Sequence, residues 1–257
     1  MRSWDGNENI RSQSVSLPGP SGEHTEGMRP VRTGGGIFPA VDGQNLTEPE
    51  IRGLVSDQAE NLLGKGEIGC ALSHLGIYGD MIEKNIPIAL VLEDDSVFNH
   101  DPRPILAALE RQPADTPEVY LLSYCGANRY VAHERTRRQI GDTQFYRGWD
   151  GYNANGYVLT KKAAANIRGF QTPIKFHNDW WRIYQLNDLI RFHICEKEII
   201  GLHPELSRGS LLKNEHDAVG DREIKRYKQH LRKQRPLRLR AKYFFFRLRY
   251  QFNIRCQ

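Results

Sequence analysis

Long apolar runs are missing from this chain of 257 residues. No stretch reaches the roughly 20 consecutive apolar residues that a membrane-spanning helix needs, and the N-terminus lacks the basic, apolar and small-residue order of a signal peptide. We therefore expect a cytoplasmic protein. Hydrophobic residues make up 39% of the chain and charged residues 26%, which predicts one large domain or one domain with an appendage.

Cysteine is also scarce, and its spacing argues against a cysteine-based metal site. The chain has Cys70, Cys125, Cys195 and Cys256, which are scattered without the spacing of metal ligands. We expect the first three to be small buried hydrophobic residues and Cys256 to lie in the tail.

The two ends of the chain differ from its middle. Residues 1–36 are rich in Gly, Pro, Ser and charged residues, and we expect a poorly ordered segment with at most one short strand at Ser14–Leu17. Residues 211–257 form a basic and aromatic tail, in which Glu223 is the only acid from Arg222 onward.

The composition of this tail suits an anionic membrane surface. Each Lys or Arg near such a surface adds about 1 kcal/mol to binding, and aromatic rings settle at the interface. A helix packed on the domain is an alternative. Binding to nucleic acid is another, but the tail carries no motif that reads bases, so no nucleic acid partner is expected.

Three carboxylates follow a strongly apolar segment in the middle of the chain. The run Ile88–Leu92, entered from Pro87, predicts a central strand buried on both faces, as in a parallel sheet. Glu93, Asp94 and Asp95 come next, and ligands of open α/β sheets bind beyond the carboxyl ends of strands. Adjacent carboxylates repel unless a cation offsets them, and oxygen ligands suit Mg²⁺ or Mn²⁺. A polar loop at a strand end explains these residues equally well.

A glycine-rich approach to a helix precedes that strand. Residues Gly64–His74 lead into apolar positions with helical spacing that continue to Ile86. Backbone N–H groups near the helix start, together with Lys65, could bind a phosphate. Alternatively, the glycines only let the helix lie close to its neighbours. His74 is either a ligand or a hydrogen-bonded core residue.

Short periodic segments predict further elements. We expect helices near Thr47–Leu54, Ile105–Leu109 and Lys161–Ile167, a buried strand near Val119–Tyr124, a strand ending at Thr160, and late edge strands at Phe192–Cys195 and Ile199–Pro204. The polar and aromatic stretch that ends at Arg147 predicts a loop or hairpin.

Three of these segments carry a family resemblance. Phe38–Gly43, Gly66–His74 and Ala89–Asp95 resemble, in order and spacing, the successive signatures of glycosyltransferase family 25, which includes bacterial lipooligosaccharide galactosyltransferases and is related to collagen galactosyltransferases. The resemblance runs from about Ile37 to about Arg208. It implies an α/β domain of the GT-A type over residues 37–210, Rossmann-like, with a mostly parallel central sheet that binds a nucleotide sugar.

The resemblance also implies positions for the donor and for a divalent cation, Mn²⁺ or Mg²⁺. The implied nucleotide-sugar residues are Asp42, Gly43, Lys65, Gly69, Ser73, His74, Glu93 and Asp94. The implied cation ligands are Glu93 and Asp95, with His203 as a further candidate because such enzymes often draw a ligand from a late histidine. A surface histidine before a proline is the alternative for His203.

Glycosyl transfer with inversion, which the resemblance implies, needs a carboxylate base for the acceptor hydroxyl. Asp179 lies where family members carry an aspartate after an alanine-rich helix, and Trp180 and Trp181 could shelter it and stack on a sugar. Asp150 is the second candidate for the base. Asp179 could instead cap a helix that runs from Trp180 to Ile190.

The resemblance implies galactosyl transfer from UDP-galactose to a lipooligosaccharide acceptor. Together with the basic and aromatic tail, this predicts an enzyme that is peripheral on the inner membrane. The chain departs from the family pattern at Ser14–Leu17 and Pro18–Pro20, where members have an apolar strand and a basic segment. This departure leaves open a catalytically impaired member that binds a glycan or a membrane. A metal-dependent phosphoesterase would also use the three acids, but the chain lacks a nearby histidine cluster for a two-metal site.

Overall fold

The structure is a computed structural model that describes residues 12–14, 36–113, 115–123, 130–131, 136–204 and 221–250. Within these residues the protein has an α/β fold, as the sequence predicts. Its strands are β1 (Ser12–Ser14), β2 (Ile37–Pro39), β3 (Ile88–Leu92), β4 (Ser96–Phe98), β5 (Glu118–Leu121), β6 (Tyr130–Val131), β7 (Arg138–Ile140), β8 (Thr143–Asp150), β9 (Gly156–Thr160), β10 (Arg191–Cys195) and β11 (Ile200–Leu202). Its helices are α1 (Glu48–Leu54), α2 (Lys65–Glu83), α3 (Arg103–Leu109), α4 (Lys161–Phe170), α5 (Trp181–Leu186), α6 (Asp221–Lys233) and α7 (Leu237–Tyr250).

The main sheet has the strand order β3-β9-β5-β10-β8-β6, and β7 pairs with β8. The prediction of a mostly parallel sheet is wrong. Only β5 and β10 pair in parallel among these described strands, and the other neighbours are antiparallel. The apolar runs could not reveal this, because a strand covered on both faces has the same pattern whichever way its neighbour runs.

Two strands lie elsewhere in the sheet than their sequences indicate. The run Ile88–Leu92, expected to be central, is the edge strand β3, which pairs with β9 alone among the described strands. Its first residues, Ile88 and Ala89, are accordingly only half-buried. Conversely, β10 was expected at an edge but lies between β5 and β8, and four of its five residues are buried.

The sheet separates two hydrophobic clusters, as the alternation along β5 shows. Val119 and Leu121 face the cluster formed with α2, α4, α5 and α6, whereas Tyr120 and Leu122 face the smaller cluster formed with α3. Burial of apolar side chains on both faces stabilises the sheet by roughly 25 cal/mol for each Å² removed from water. The result is a sheet covered by helices on both sides.

Helix α2 packs in the larger hydrophobic cluster on one face of the sheet and carries Cys70 and His74. It begins after Gly64, whose backbone N–H donates to Glu67 Oε2 across 2.8 Å. Near its start it approaches the 3-10 turn Gly43–Asn45 very closely, because a Cβ on Gly43 would lie 1.7 Å from the Lys65 carbonyl oxygen. Gly69 is equally confined, with a would-be Cβ 2.6 Å from the Gly43 nitrogen. These glycines therefore let α2 lie close to its neighbours, which is one of the two alternatives that the sequence left open for the glycine-rich segment.

The stretch that ends at Arg147 is a hairpin rather than a loop. β7 and β8 are joined by Gly141 and Asp142, and Gly141 has a φ of +59°, which glycine adopts without strain. β8 then continues to Asp150 and provides the register partners of both β10 and β6.

The ends of the chain carry three described elements. β1 (Ser12–Ser14) pairs antiparallel with β2, and residues 15–35, which contain most of the expected strand Ser14–Leu17, lie outside the described residues. In the basic tail, Ile224, Tyr227 and Leu231 of α6 are buried in the larger cluster. Among the described helices, none combines the length and apolar character that a membrane crossing requires.

Candidate functional site

The three acids lie in the turn between β3 and β4, beside the start of β9. The backbone N–H of Glu93 donates to the Asn155 carbonyl oxygen across 3.1 Å, and the Ser96 hydroxyl donates to the same oxygen. β11 pairs with β4, and the backbone N–H of His203 then donates to the Asp95 carbonyl oxygen across 2.7 Å. The structure thus brings the predicted cation ligands Glu93, Asp95 and His203 into one neighbourhood.

Asp95 has the strongest electrostatic signature of the three acids. Desolvation, followed by the charges of Glu93 and Asp94, raises the pKa of the Asp95 carboxyl from 3.8 to about 6. Its Oδ1 atom is buried and has no hydrogen-bond partner among the described residues. A buried carboxylate oxygen without a donor is costly, so this atom fits the ligand of a cation. Asp94, in contrast, is exposed.

A chain of buried polar groups leads away from Glu93. Glu93 Oε1 lies 3.3 Å from His74 Nε2, and His74 Nδ1 lies 2.7 Å from the hydroxyl of Tyr157. That hydroxyl lies 2.7 Å from the hydroxyl of Tyr78, which donates to Asn178 Oδ1 across 3.5 Å. His74, Tyr157 and Tyr78 are fully buried, so this network fixes the orientation of the His74 ring. Burial raises the pKa of both tyrosines.

Cys70 lies within this group, so the prediction that it is a small buried hydrophobic residue is wrong. The Cys70 residue is half-buried. Its sulfur lies within 4.8 Å of one ligand atom each of His74 and Glu93. Burial among surrounding atoms raises the pKa of the thiol, and the carboxylates of Glu93, Asp179, Glu67 and Asp95 raise it further. The spacing of Cys70 and His74, four residues apart on one helix, was the sequence signal for this proximity. Cys195 is buried in the smaller cluster as expected, and Cys125 and Cys256 lie outside the described residues.

The Asp179 side chain binds the backbone before β9 rather than capping a helix. Its Oδ2 atom accepts a hydrogen bond from the backbone N–H of Asn153 across 3.0 Å. α5 begins at Trp181 with Trp180 as its N-cap, so the alternative of Asp179 as a side-chain cap is wrong. The Trp181 side chain is fully buried and donates through Nε1 to the Asn153 carbonyl oxygen, which excludes it from stacking on a sugar in this conformation. Asp150 lies at the end of β8, and its side chain is outside the described part of the structure.

A second histidine and a lysine of the tail contact Trp180, the residue next to Asp179, and the sequence assigned a role to neither. His177 Nε2 lies 3.3 Å from Glu67 Oε1, and the His177 ring stacks on Trp180 at 4.9 Å between centroids. The Lys228 ammonium of α6 lies 4.1 Å from the centre of the Trp180 ring and 5.0 Å from that of Tyr152. Tyr152 is 41% exposed, so an aromatic surface remains open to solvent here.

Several residues that the resemblance assigns to the nucleotide sugar make contacts within the protein. Asp42 accepts from Gln44 and Asn45 in the 3-10 turn, and the Ser73 hydroxyl accepts from Val41 N–H and donates to the Gly69 carbonyl oxygen. The Lys65 ammonium donates to the Leu46 carbonyl oxygen across 2.7 Å. These contacts hold the turn against the start of α2. A role for these residues in donor binding stays a prediction.

An α/β domain with three carboxylates directly after a strand has polar groups where enzymes of this fold class place their active sites. The sequence profile described as Glycosyltransferase family 25 (LPS biosynthesis protein) matches residues 34–180. Since this match covers more than half of the chain, the protein belongs to glycosyltransferase family 25.

Individual relatives support this assignment. A protein named Procollagen galactosyltransferase 2 from Homo sapiens is 26% identical over 141 residues, or 52% of this chain and 22% of the relative. A Glycosyltransferase 25 family member from Drosophila melanogaster is 30% identical over 138 residues, or 51% of this chain and 22% of the relative. A protein named Inactive glycosyltransferase 25 family member 3 from Homo sapiens is 32% identical over 113 residues, or 40% of this chain and 18% of the relative. The alignments thus span about a fifth of each relative's length.

Proposed function

We propose that this protein transfers a hexose, galactose from UDP-galactose in the simplest case, to a sugar acceptor. The observation that carries the proposal is the position of Glu93 and Asp95 directly after β3, where Glu93 lies beside Cys70 and His74. The charge of Asp179 acts on the pKa of the same Cys70 thiol. Carboxylates grouped in this way can supply both ligands for a cation that binds the donor diphosphate and a base for the acceptor. Family membership and a relative named for galactosyl transfer support the choice of sugar.

A divalent cation, Mn²⁺ or Mg²⁺, fits the residues present. Asp95 offers a buried oxygen without a hydrogen-bond partner in the described structure, and Glu93 offers a half-buried carboxylate two residues before it. His203, whose backbone is bonded to Asp95, is the third candidate ligand. When bound, the cation would neutralise charge on the departing diphosphate. Oxygen-rich ligands are those that Mg²⁺ and Mn²⁺ prefer.

Asp179 is the proposed base, which would make the transfer inverting. Its carboxylate is half-buried, and one oxygen is oriented by the Asn153 N–H. A positioned carboxylate can take the proton from an acceptor hydroxyl and typically contributes a factor of about 10² to 10⁴ to the rate. The exposed Tyr152 ring beside Lys228 offers a surface for the acceptor sugar.

The acceptor is proposed to be a lipooligosaccharide on the inner leaflet, and α7 supports attachment to that membrane. Leu237, Phe244, Phe245 and Leu248 are 77%, 59%, 66% and 57% exposed, and their helical spacing places them on one stripe. On the opposite side, Tyr243 packs against Leu186 and Phe246.

Exposed cations flank this apolar stripe. Arg238 lies beside it on one side and Arg240 on the other, and both side chains are exposed. Lys242 is exposed as well and pairs with Asp188 across 2.5 Å. An apolar stripe bordered by cations is the pattern of a helix that lies in an anionic membrane interface. A peripheral position on the inner membrane follows from this proposal.

The alternative is a family member that binds a glycan without turnover. Two observations favour it: the departure of residues 14–20 from the family pattern, and the engagement of Lys65 by the Leu46 carbonyl oxygen instead of an open position for phosphate. One relative is itself named inactive.

Calorimetric titration with a panel of UDP-sugars and free UDP, first with Mn²⁺ and then with EDTA, tests the proposal. We expect binding of one UDP-sugar that requires Mn²⁺ and is lost in Asp95→Asn. The matched control is Asp80→Asn, which removes an exposed acid that pairs with Lys84 on α2. If the folded protein binds no nucleotide in the panel, the proposal of an active transferase is wrong. The alternative, a family member that binds a glycan without turnover, then remains.

A further inference from the structure

Three potential metal ligands of different chemistry meet at the end of β3. Cys70 and His74 lie one turn apart on the same face of α2, and Glu93 follows β3. One ligand atom from each, a sulfur, a ring nitrogen and a carboxylate oxygen, lie within 4.8 Å of one another. This set differs from the oxygen-rich set around Asp95 and shares only Glu93 with it.

The distances suit a tetrahedral ion. Zn²⁺ binds nitrogen and oxygen at about 2.0–2.2 Å and sulfur at about 2.3 Å, so a tetrahedral site separates its ligand atoms by roughly 3.3–3.6 Å. His74 Nε2 and Glu93 Oε1 are already 3.3 Å apart. The sulfur lies within 4.8 Å of both partners, so a shift of about 1 Å, within reach of side-chain rotation, closes the set.

The surroundings of His74 resemble those of a metal-binding histidine. The Tyr157 hydroxyl, 2.7 Å from Nδ1, and the neighbouring Tyr78 hydroxyl hold the ring so that Nε2 faces Glu93. Partners on the second nitrogen orient most metal-binding histidines and strengthen the ligand. Because both tyrosines and His74 are fully buried, this orientation is kept without an ion.

The negative charges near Cys70 and the solvent exposure of Glu93 also favour a bound cation. Carboxylates of Glu93, Asp179, Glu67 and Asp95 surround Cys70, which makes the position favourable for a cation. Glu93 is half-buried, so the site has one ligand that is in part exposed to solvent.

We propose that Cys70, His74 and Glu93 bind Zn²⁺, with the fourth position open to water or a ligand. A thiol and an imidazole select a borderline ion such as Zn²⁺ over Mg²⁺ or Mn²⁺. Three protein ligands with one open position are the pattern of zinc sites that exchange a ligand. The site differs from the proposed Mn²⁺ or Mg²⁺ position in its metal and in two of its three protein ligands, Cys70 and His74, and shares Glu93 with it.

Titration of the untagged 257-residue chain with Co²⁺, a spectroscopic substitute for Zn²⁺, tests the site without any substrate. We expect a thiolate-to-cobalt charge-transfer absorption, together with the intense visible bands of four-coordinate cobalt, and loss of both on addition of Zn²⁺. Cys70→Ser should abolish the charge-transfer band, whereas Cys195→Ser, which removes a thiol in the other hydrophobic cluster, should keep it. Tyr157→Phe should weaken Co²⁺ binding by about 10-fold, because it frees the His74 ring.

Two further arms keep the result unambiguous. Asp95→Asn should retain the charge-transfer band, so that failure of the Mn²⁺-dependent donor binding and failure of the zinc site are separate outcomes. In the unmodified chain, Zn²⁺ should protect Cys70 from alkylation, and the modified cysteine is located by peptide mass. This test does not depend on whether Cys70→Ser folds. Co²⁺ spectra without a charge-transfer band, or Cys70 alkylated equally fast with Zn²⁺, would overturn the site and leave His74 as a hydrogen-bond donor to Glu93.

Discussion

Asp179 and Asn153 are joined by a hydrogen bond of 3.0 Å from the backbone N–H of Asn153 to the carboxylate. Asn153 has a φ of +75°, a left-handed conformation that asparagine tolerates better than most residues. Its carbonyl oxygen accepts from the buried Trp181 indole across 2.8 Å. The segment before β9 is thus held from both sides, and one carboxylate oxygen of Asp179 is fixed against the Asn153 backbone.

Replacement of Asp179 by Asn should reduce transferase turnover by about 10² to 10⁴-fold, because the amide cannot take a proton from the acceptor. The fold should persist, since the Asn oxygen can still accept from Asn153 N–H. The measurement is kcat with the UDP-sugar identified by titration, together with donor affinity, which should change little. Asp142→Asn, an exposed acid in the β7–β8 turn, is the control. Turnover within tenfold of the parent would exclude Asp179 as the base.

Asp95→Asn should stabilise the metal-free protein at pH 7 but not at pH 4. The folded pKa of Asp95, about 6, exceeds its ordinary 3.8, so its contribution to stability is complete below about pH 4 and is lost as the pH rises through 6. Asn carries no charge and avoids this loss. After allowance for solvent screening of a half-exposed group, we expect a difference of about 1 kcal/mol.

Thermal unfolding in EDTA between pH 4 and 7.5 measures this difference. The Tm gap between the two proteins should open as the pH rises through 6, and Mn²⁺ should narrow it by stabilising the parent. A gap that is the same at every pH would show that Asp95 is not a desolvated carboxyl.

Gly43→Ala should destabilise the protein by about 3 kcal/mol, because the new Cβ would lie 1.7 Å from the Lys65 carbonyl oxygen. The turn and the start of α2 would have to separate. Gly53→Ala is the matched control: Gly53 lies within α1 with no atom near its would-be Cβ, so alanine should stabilise the protein by about 0.5–1 kcal/mol. Denaturant unfolding measures the free energy of unfolding of both variants. Equal changes in that free energy would contradict the close approach of Gly43 to the Lys65 carbonyl oxygen.

Sedimentation with lipid vesicles tests the proposed membrane contact of α7. The protein should bind vesicles that contain phosphatidylserine and should not bind neutral phosphatidylcholine vesicles. Arg238→Gln with Arg240→Gln should weaken binding by about 30-fold, at about 1 kcal/mol for each charge. Phe244→Ser with Phe245→Ser should weaken it at least tenfold through lost apolar contact.

The control for charge is Lys84→Gln with Arg103→Gln, two exposed cations at the C-cap of α2 and at the start of α3. This pair should leave vesicle binding unchanged. Binding that is equally strong to neutral vesicles, or that survives both α7 variants, would rule out the proposed contact.

Local elements could be predicted well from the sequence. α1 begins where Thr47 and Pro49 indicate, and the Thr47 N–H donates to Glu50 Oε2 across 2.8 Å. α2, β3, α3, β9 and α4 also match the apolar periodicity in their segments. Such agreement is expected, because capping and periodic burial are set by residues within a few positions of one another.

The site was predictable only in part. The acids after β3 were found because a strand that ends in carboxylates is visible in the chain itself. Cys70 was misjudged, because its proximity to Glu93 depends on how α2 lies against β3, over twenty positions away in the chain. The Glu67–His177 contact joins positions more than a hundred residues apart and left no local signal.

By itself the sequence determined the family, the α/β composition and the positions of the acids, because these depend on local order and spacing. Tertiary structure alone decided the antiparallel insertion of β9 between β3 and β5, the edge position of β3 and the orientation of Asp179 towards Asn153. The physical reason is that periodicity records which face of a segment is buried, whereas strand direction and side-chain meetings depend on packing between distant segments.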